Sequence, residues 1–343
     1  MLLGGTGKVS TPTRPWTVWV IDREGRGSAL RLWVGIAVVT LLEYVWRVVE
    51  LHFRRPLPRR RHYIAMRLFR TLGRSFPVTL TYPNPLVPGG ARLSICLDLC
   101  QNHEIYVRSK GRYEIEWLRL IAGAMQDADG FIDVGANVGV YALTVAQAFP
   151  GKRVVAVEPV PDNYARLARG VELNRLSNIT TLRAAVSDAA GPATFHVSPI
   201  HDGGGSLVPL VSYQTGDISV DAAQYRKRHP SFQPTFGVDV ISLDSLVETK
   251  SVIKIDVEGG EGMVLRSAER VLRKGLVDLM VVEVQVDTFG DVVRFLDQSD
   301  FECFLYGRRL PVKPEDGRLL PFRVANLLCL RRGSPSYGRV DFA

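Results

Sequence analysis

The stretch FIDVGANVG, residues 131–139, determines the fold expected for this chain of 343 residues. Its first residues are apolar apart from one carboxylate, as in a buried strand. Gly135 and Gly139 allow the backbone to take a positive φ or to approach a ligand closely. The segment from Val138 to Ala148 then has the pattern of a helix. A strand that leads through a glycine-containing turn into a helix is typical of the ligand-binding end of an α/β sheet.

Strand and helix patterns alternate along the chain around this stretch. Strands are expected at 131–134, 153–157, 180–186, 193–197, 252–256, 277–284, 301–306 and 325–330, and helices at 114–125, 138–148, 161–176, 261–274 and 289–298. This alternation predicts a doubly wound, mostly parallel α/β sheet with helices on both faces. Ligands bind such sheets beyond the carboxyl ends of the strands, where the strand order reverses.

The charge is unevenly distributed and indicates four segments. Residues 1–76 contain 14 Lys and Arg against 4 Asp and Glu, whereas the rest of the chain contains 29 against 31. We expect a flexible N-terminus at 1–27, a basic amphipathic helical segment at 28–76, a catalytic domain at 77–335 and a tail at 336–343. Because the domain itself is close to neutral, no nucleic-acid partner is expected.

The basic segment 28–76 leaves three interpretations open. Its uncharged stretch, residues 32–42, is shorter than the roughly 20 residues of a membrane-spanning helix. A helix lying on an anionic membrane surface fits the apolar face and the arginine clusters. A tilted membrane span and a helix packed on the domain are the alternatives.

The four cysteines form no CxxC pair, which favours a reducing compartment. We therefore expect a cytoplasmic protein, free or held at the membrane, of undetermined oligomeric state.

Carboxylates at the ends of the first two core strands predict the charge of the ligand. Asp133 ends the first strand, and Glu158 ends the next, VVAVE. Asp133 would repel a pyrophosphate in a poorly screened crevice, and the spacing of Gly135 and Gly139 is G-x-x-x-G, not the dinucleotide-binding G-x-G-x-x-G. S-adenosylmethionine instead carries an ammonium and a sulfonium and no phosphate. Glu158 is placed to bind the two hydroxyls of its ribose.

Four motifs in order resemble the FkbM-type methyltransferases. They are DVGANVGVY (133–141), VEPVPDNY (157–164), LRAAVSDAAG (182–191) and IKIDVEGGE (253–261). The resemblance covers residues 113–330 and implies a class I methyltransferase (Rossmann-like) sheet of seven strands whose last strand is antiparallel. Two positions depart from the family pattern, since Gly260 and Val284-Gln285 stand where relatives often have a histidine, which leaves a histidine base in doubt.

The resemblance also implies which residues bind the methyl donor. The donor contacts are expected at Asp133, Gly135, Asn137, Gly139 and Glu158. The adenine is expected near Ser187 and Asp188.

Candidate catalytic groups lie at the end of the fourth core strand and in a long connection. Asp256 is the first candidate to align or deprotonate an acceptor, and Glu258 is the second. The alternative for Asp256 is a bond to the donor's ammonium or to a neighbouring backbone N–H. The alternative for Glu258 and Glu261 is a place in the first turn of the next helix, which favours acids. His201 lies in the connection 198–236, which we expect to cover the acceptor. Asp256, Glu258 and Glu283 offer oxygen ligands that suit Mg²⁺, but no spacing requires a metal and none is predicted.

The sequence therefore predicts an S-adenosylmethionine-dependent O-methyltransferase. The resemblance and the basic segment favour a hydroxyl of a sugar, polysaccharide or glycolipid-type acceptor. A donor-binding scaffold without turnover and a nicotinamide-dependent oxidoreductase are the alternatives.

Overall fold

The computed structural model describes residues 77–98, 114–197, 204–208, 212–215, 218–221, 223, 235–320 and 324–338. The predictions for the N-terminal segments 1–27 and 28–76 lie outside these residues, as do those for His201 and for most of the tail. Among the helices that the structure describes, none has both the length and the apolar character needed to cross a membrane.

A seven-stranded sheet forms the centre of the domain and confirms the predicted fold class. Its strands are β3 (Gly130–Val134), β4 (Arg153–Val157), β5 (Ile179–Leu182), β12 (Ser251–Ile255), β13 (Val277–Gln285), β14 (Phe301–Leu305) and β15 (Val324–Arg331). Their order across the sheet is β14-β15-β13-β12-β3-β4-β5. Pairing from β5 to β13 is parallel, whereas β15 is antiparallel to both β13 and β14.

Helices cover both faces of this sheet because its central strands are apolar on both sides. One face packs against α1 (Ile115–Ala124), α2 (Val140–Ala148) and α3 (Pro161–Asn174). The other packs against α4 (Leu243–Leu246), α5 (Glu261–Arg266), α6 (Glu269–Arg273) and α7 (Val286–Gln298). Each face therefore forms its own apolar layer.

Smaller sheets lie around the centre. β1 (Pro77–Pro83) and β2 (Arg92–Asp98) form an antiparallel hairpin, and the buried side chains of β2 join the layer of α1, α2 and α3. A second sheet has the order β6-β11-β7-β8, from β6 (Ala185–Val186), β7 (Gly191–Val197), β8 (Gly205–Ser206) and β11 (Thr235–Ile241). β9 (Ser212–Thr215) pairs with β10 (Ile218–Asp221). Short 3-10 helices cover 314–319 and 335–338.

Two elements differ from the sequence prediction. The strand expected at 180–186 is divided, because β5 pairs with β4 whereas β6 pairs with β11 in the smaller sheet. The helix expected at 261–274 is divided into α5 and α6. At this break the Ser267 hydroxyl donates to the Val264 carbonyl and accepts from the backbone N–H of Leu243. A serine that bonds to the preceding turn competes with regular helix geometry.

Candidate functional site

The glycine loop of residues 135–139 lies where the strand order reverses. β4 and β5 extend the sheet on one side of β3, and β12 and β13 extend it on the other. Gly135 has φ 79°, and a Cβ atom there would lie 1.8 Å from the backbone oxygen of Asp256. Gly139 has φ 87°, and its Cβ would lie 2.4 Å from Leu167 Cδ1. Both φ values favour glycine, and at residue 135 the backbone of Asp256 also leaves no room for a Cβ atom, so the loop passes tightly against the end of β12.

Glu158 joins this loop to the beginning of α3. Its Oε2 accepts a hydrogen bond of 2.8 Å from the backbone N–H of Asn137, and its Oε1 accepts one of 2.9 Å from that of Val160. The residue is 4% exposed, and burial raises the pKa of its carboxyl to about 7. Each carboxylate oxygen has a further lone pair, so Glu158 retains the capacity to accept bonds from a ligand.

Asp133 supports the first turn of α2 from the end of β3. Its Oδ2 accepts a hydrogen bond of 3.1 Å from the backbone N–H of Ala142, whereas its buried Oδ1 has no hydrogen-bond partner among the described residues. The side chain is 1% exposed, and burial raises the pKa of its carboxyl to about 6, an effect that Lys254 opposes. Asp133 therefore combines a structural contact with one unused buried acceptor.

Lys254 is a residue of the site that the sequence interpretation missed. Its ammonium lies 2.7 Å from Asp256 Oδ2 and 4.9 Å from the centroid of the Tyr141 ring. The signal was present in the sequence, because Lys254 is the one charged residue of the strand SVIKI, all of whose residues are buried. A lysine in a buried strand requires a charge partner, and Asp256 is two residues away, on the same side of the strand.

Three acidic side chains converge at the carboxyl ends of β12 and β13. Oxygen atoms of Asp256, Glu258 and Glu283 lie within 4.8 Å of one another, a grouping that could hold a divalent cation. Glu258 takes φ 54° in the turn that follows β12. Burial, and then the charges of Asp256 and Glu258, raise the pKa of Glu283 above its ordinary value. The structure thus brings together the two acids predicted after the fourth core strand.

Glu261 has a structural role and lies in the first turn of α5, as predicted, although this helix has no side-chain cap hydrogen bond. It is 1% exposed; its Oε1 accepts from the backbone N–H of Gly259 at 2.7 Å, and its Oε2 accepts from the Thr288 hydroxyl at 3.0 Å. Burial raises the pKa of its carboxyl to about 7. Glu261 therefore fixes the turn that carries Glu258 against α7.

Ser187 and Asp188 directly follow β6 and contact β11 and α5. The backbone N–H of Ser187 donates to the Ile241 carbonyl, and its hydroxyl donates to Asp188 Oδ1. Asp188 forms an ion pair of 2.6 Å with Arg266, which lowers the pKa of its carboxyl. This pair links the segment after β6 to α5, and the adenine contact expected here stays a prediction.

The strand order, the single antiparallel strand β15 and the acidic strand ends around a glycine loop define the class of this protein: it has the fold of a class I methyltransferase. Residues 133–303 match the family model described as the methyltransferase FkbM domain. The chain therefore contains a methyltransferase FkbM domain over these residues.

Three named proteins are similar to this chain. Methyltransferase sdnD of Sordaria araneosa is 27% identical over 163 residues, which cover 40% of this chain and 60% of that protein. The 31-O-demethyl-FK506 methyltransferase FkbM of Streptomyces tacrolimicus is 27% identical over 197 residues, covering 52% of this chain and 74% of its own length. Among solved structures, a precorrin-6y C5,15-methyltransferase from Geobacter metallireducens GS-15 is 12% identical, with a TM-score of 0.36 and coverage of 64% of this chain and 88% of that chain.

Proposed function

We propose that the chain transfers the methyl group of S-adenosylmethionine to a hydroxyl of a sugar, polysaccharide or glycolipid-type acceptor. The observation that carries the proposal is the fixed carboxylate of Glu158, which ends β4 beside the glycine loop and bonds to the backbone of Asn137. A buried carboxylate at the end of the second strand is suited to accept both hydroxyls of a ribose.

The groups around the glycine loop fit a cationic donor better than a diphosphate. Asp133, Glu158 and Asp256 surround the loop, and the unused Oδ1 of Asp133 is an acceptor that requires a donor or a cation. A phosphate brought into this crevice would meet like charge in a medium that screens poorly. When bound, S-adenosylmethionine supplies an activated methyl group on a sulfonium.

Asp256 has the geometry of a group that aligns the acceptor. Its carboxylate lies directly after β12, and the ion pair with Lys254 fixes Oδ2 on one side of the strand. An ionised carboxylate accepts a hydrogen bond from an acceptor hydroxyl and can receive its proton as the oxygen is methylated. Methyl transfer needs this alignment above all, because the reacting carbon is already activated.

A hydroxyl acceptor is supported by one relative's name. The Streptomyces tacrolimicus protein is named for an acceptor that is demethylated at an oxygen, 31-O-demethyl-FK506. The choice of a sugar or glycolipid acceptor rests on the resemblance of the motifs and on the basic segment 28–76, for which we also propose contact with an anionic membrane surface.

The proposal is tested by binding and by transfer. Isothermal titration should show binding of S-adenosylhomocysteine and none of NAD; the reverse result would identify an oxidoreductase. Labelled methyl transfer to a panel of glycans and glycolipids should then yield product. Donor binding without transfer to any acceptor of the panel, and without transfer to 31-O-demethyl-FK506, would favour the scaffold alternative.

A further inference from the structure

Lys254 is a buried cation within an acidic site. Its side chain is 5% exposed, and its Cα partner on β3 is Asp133. The two side chains therefore lie on the same face of the sheet, which is also the face of Asp256. The Lys254 ammonium bonds to Asp256 Oδ2 at 2.7 Å and lies over the ring of Tyr141, whose hydroxyl donates to Glu114 Oε2 at 2.6 Å.

The surroundings of Lys254 keep it protonated. Carboxylates from four parts of the fold act on it: Asp133 at the end of β3, Asp256 after β12, Glu283 on β13 and Glu114 before α1. Burial alone lowers the pKa of a lysine, but these charges raise it above its usual value. The ammonium is therefore a permanent charge at any pH at which the protein would be assayed.

Stability does not explain a lysine at this position. A buried ion pair costs desolvation energy that its attraction only partly offsets, and apolar replacement of such pairs is often neutral or stabilising. The other four residues of β12 include three aliphatic side chains, and Val252, on the same face as Lys254, joins the apolar layer of α1, α2 and α3, so an apolar residue would suit the strand. The cation is better explained by what it does to the neighbouring carboxylates.

We propose that Lys254 is a specificity-determining residue of the donor site: its buried ammonium cancels the charge of Asp256 and so limits the preference of the site for the cationic donor over its neutral product. The inference rests on the proposed function. S-adenosylmethionine and S-adenosylhomocysteine differ by one methyl group and one positive charge at sulfur. The backbone of Asp256 lies against Gly135 of the glycine loop, so its carboxylate, which bonds to Lys254, is a nearby charge for a ligand held at the loop.

The physical benefit follows from the course of methyl transfer. The positive charge on sulfur decreases as the methyl group leaves, so attraction to the sulfonium is stronger in the ground state than in the transition state. Binding that favours the ground state lowers the rate of the chemical step. An uncompensated Asp256 would hold the donor too strongly, and Lys254 prevents this.

The test is the ratio of the dissociation constant of S-adenosylhomocysteine to that of S-adenosylmethionine, measured by titration for four proteins. Lys254→Met adds one net negative charge to the site and should raise the ratio about tenfold, the effect expected of a unit charge several ångströms away at intermediate dielectric. Asp256→Asn should lower it by about the same factor. The double variant restores the net charge, so its ratio should return to that of the wild type.

A matched control lies at the other end of the sheet. Lys250 precedes β12 and forms an ion pair of 2.7 Å with Asp278, so Lys250→Met removes a similar pair far from the glycine loop and should leave the ratio unchanged. General damage to the fold weakens both ligands together and leaves their ratio unchanged. Should Lys254→Met not fold, Lys254→Gln and Asp256→Asn provide the same comparison.

Two results would overturn the inference. Equal ratios in the wild type and Lys254→Met, with both ligands bound, contradict it and leave the proposed function intact. A double variant whose ratio of dissociation constants equals that of Lys254→Met shows that the charge of Asp256 does not cause the change in the ratio. A wild type that binds neither compound overturns the proposed function itself.

Discussion

Glu158 is the residue on which the donor site depends most directly. Replacing its carboxylate by an amide in Glu158→Gln removes charge-assisted hydrogen bonds worth about 1.5–3 kcal/mol. The affinity for S-adenosylhomocysteine should therefore fall by about 10- to 100-fold. Titration calorimetry measures this change. Glu172→Gln on the exposed side of α3 is the matched control and should bind as the wild type does.

Glu261 gives a prediction for the dependence of stability on pH. Its pKa is raised by burial from 4.5 to about 7, so the folded state holds a proton that the unfolded state has released between these values. Stability from this residue is therefore present at pH 4.5 and is lost as the pH rises to about 7. The loss should be on the order of 2 kcal/mol.

Glu261→Gln should remove that contribution, because an amide does not titrate. Urea unfolding at pH 5 and at pH 8 compares the two proteins. The wild type should lose more stability between these values than Glu261→Gln does. An identical change in both proteins would show that Glu261 does not carry the effect.

At the scale of elements, the glycine loop leads from β3 into α2 and packs against the backbone that follows β12. This packing leaves no room for a side chain at residue 135. Gly135→Ala would bring a Cβ atom to 1.8 Å from the Asp256 backbone oxygen, at a φ of 79° that alanine rarely takes. The backbone must shift, which should cost more than about 3 kcal/mol of unfolding free energy. Gly151→Ala is the control, since nothing lies within 4 Å of its Cβ position. Chemical denaturation of both variants measures the difference, and equal midpoints would contradict the tight passage of the loop.

The divided elements show what local patterns miss. The stretch 180–186 has the apolar composition of one strand, but tertiary pairing assigns its two halves to different sheets. The stretch 261–274 has the composition of one helix, but Ser267 is held by a backbone group of α4. Both outcomes depend on contacts with residues far away in the sequence. The local spacing of apolar residues does not specify such contacts.

At the scale of the whole molecule, the basic composition of residues 1–76 contrasts with the near-neutral composition of the rest of the chain. We expect the full chain to bind vesicles of phosphatidylcholine with phosphatidylserine and not vesicles of phosphatidylcholine alone, because about 1 kcal/mol of attraction is gained per basic residue near an anionic surface. Sedimentation with the vesicles measures binding. Replacement by glutamine of the five arginines 54, 55, 59, 60 and 61 should abolish it, and strong binding by that variant would rule out an electrostatic contact.

The sequence by itself determined the layout of the domain and the identity of the donor-site candidates. The alternation of strands and helices predicted the parallel sheet, and the four motifs predicted its seventh, antiparallel strand. Asp133, Glu158 and Asp256 were identifiable because each lies at the carboxyl end of an apolar strand or directly after it, and strand ends meet at one edge of a parallel sheet. These features are local patterns of the sequence, so they can be recognised without knowing which residues contact one another in the fold.

Only the tertiary structure decided what each acid contacts. It showed that Glu158 holds the N–H of Asn137, that Glu261 braces the turn after β12, and that Glu283 reaches Asp256 and Glu258 from the neighbouring strand. It also placed Lys254 among four carboxylates from separate elements. Charge and burial depend on distance in space, and distance between residues far apart in the chain is set by how the strands pair.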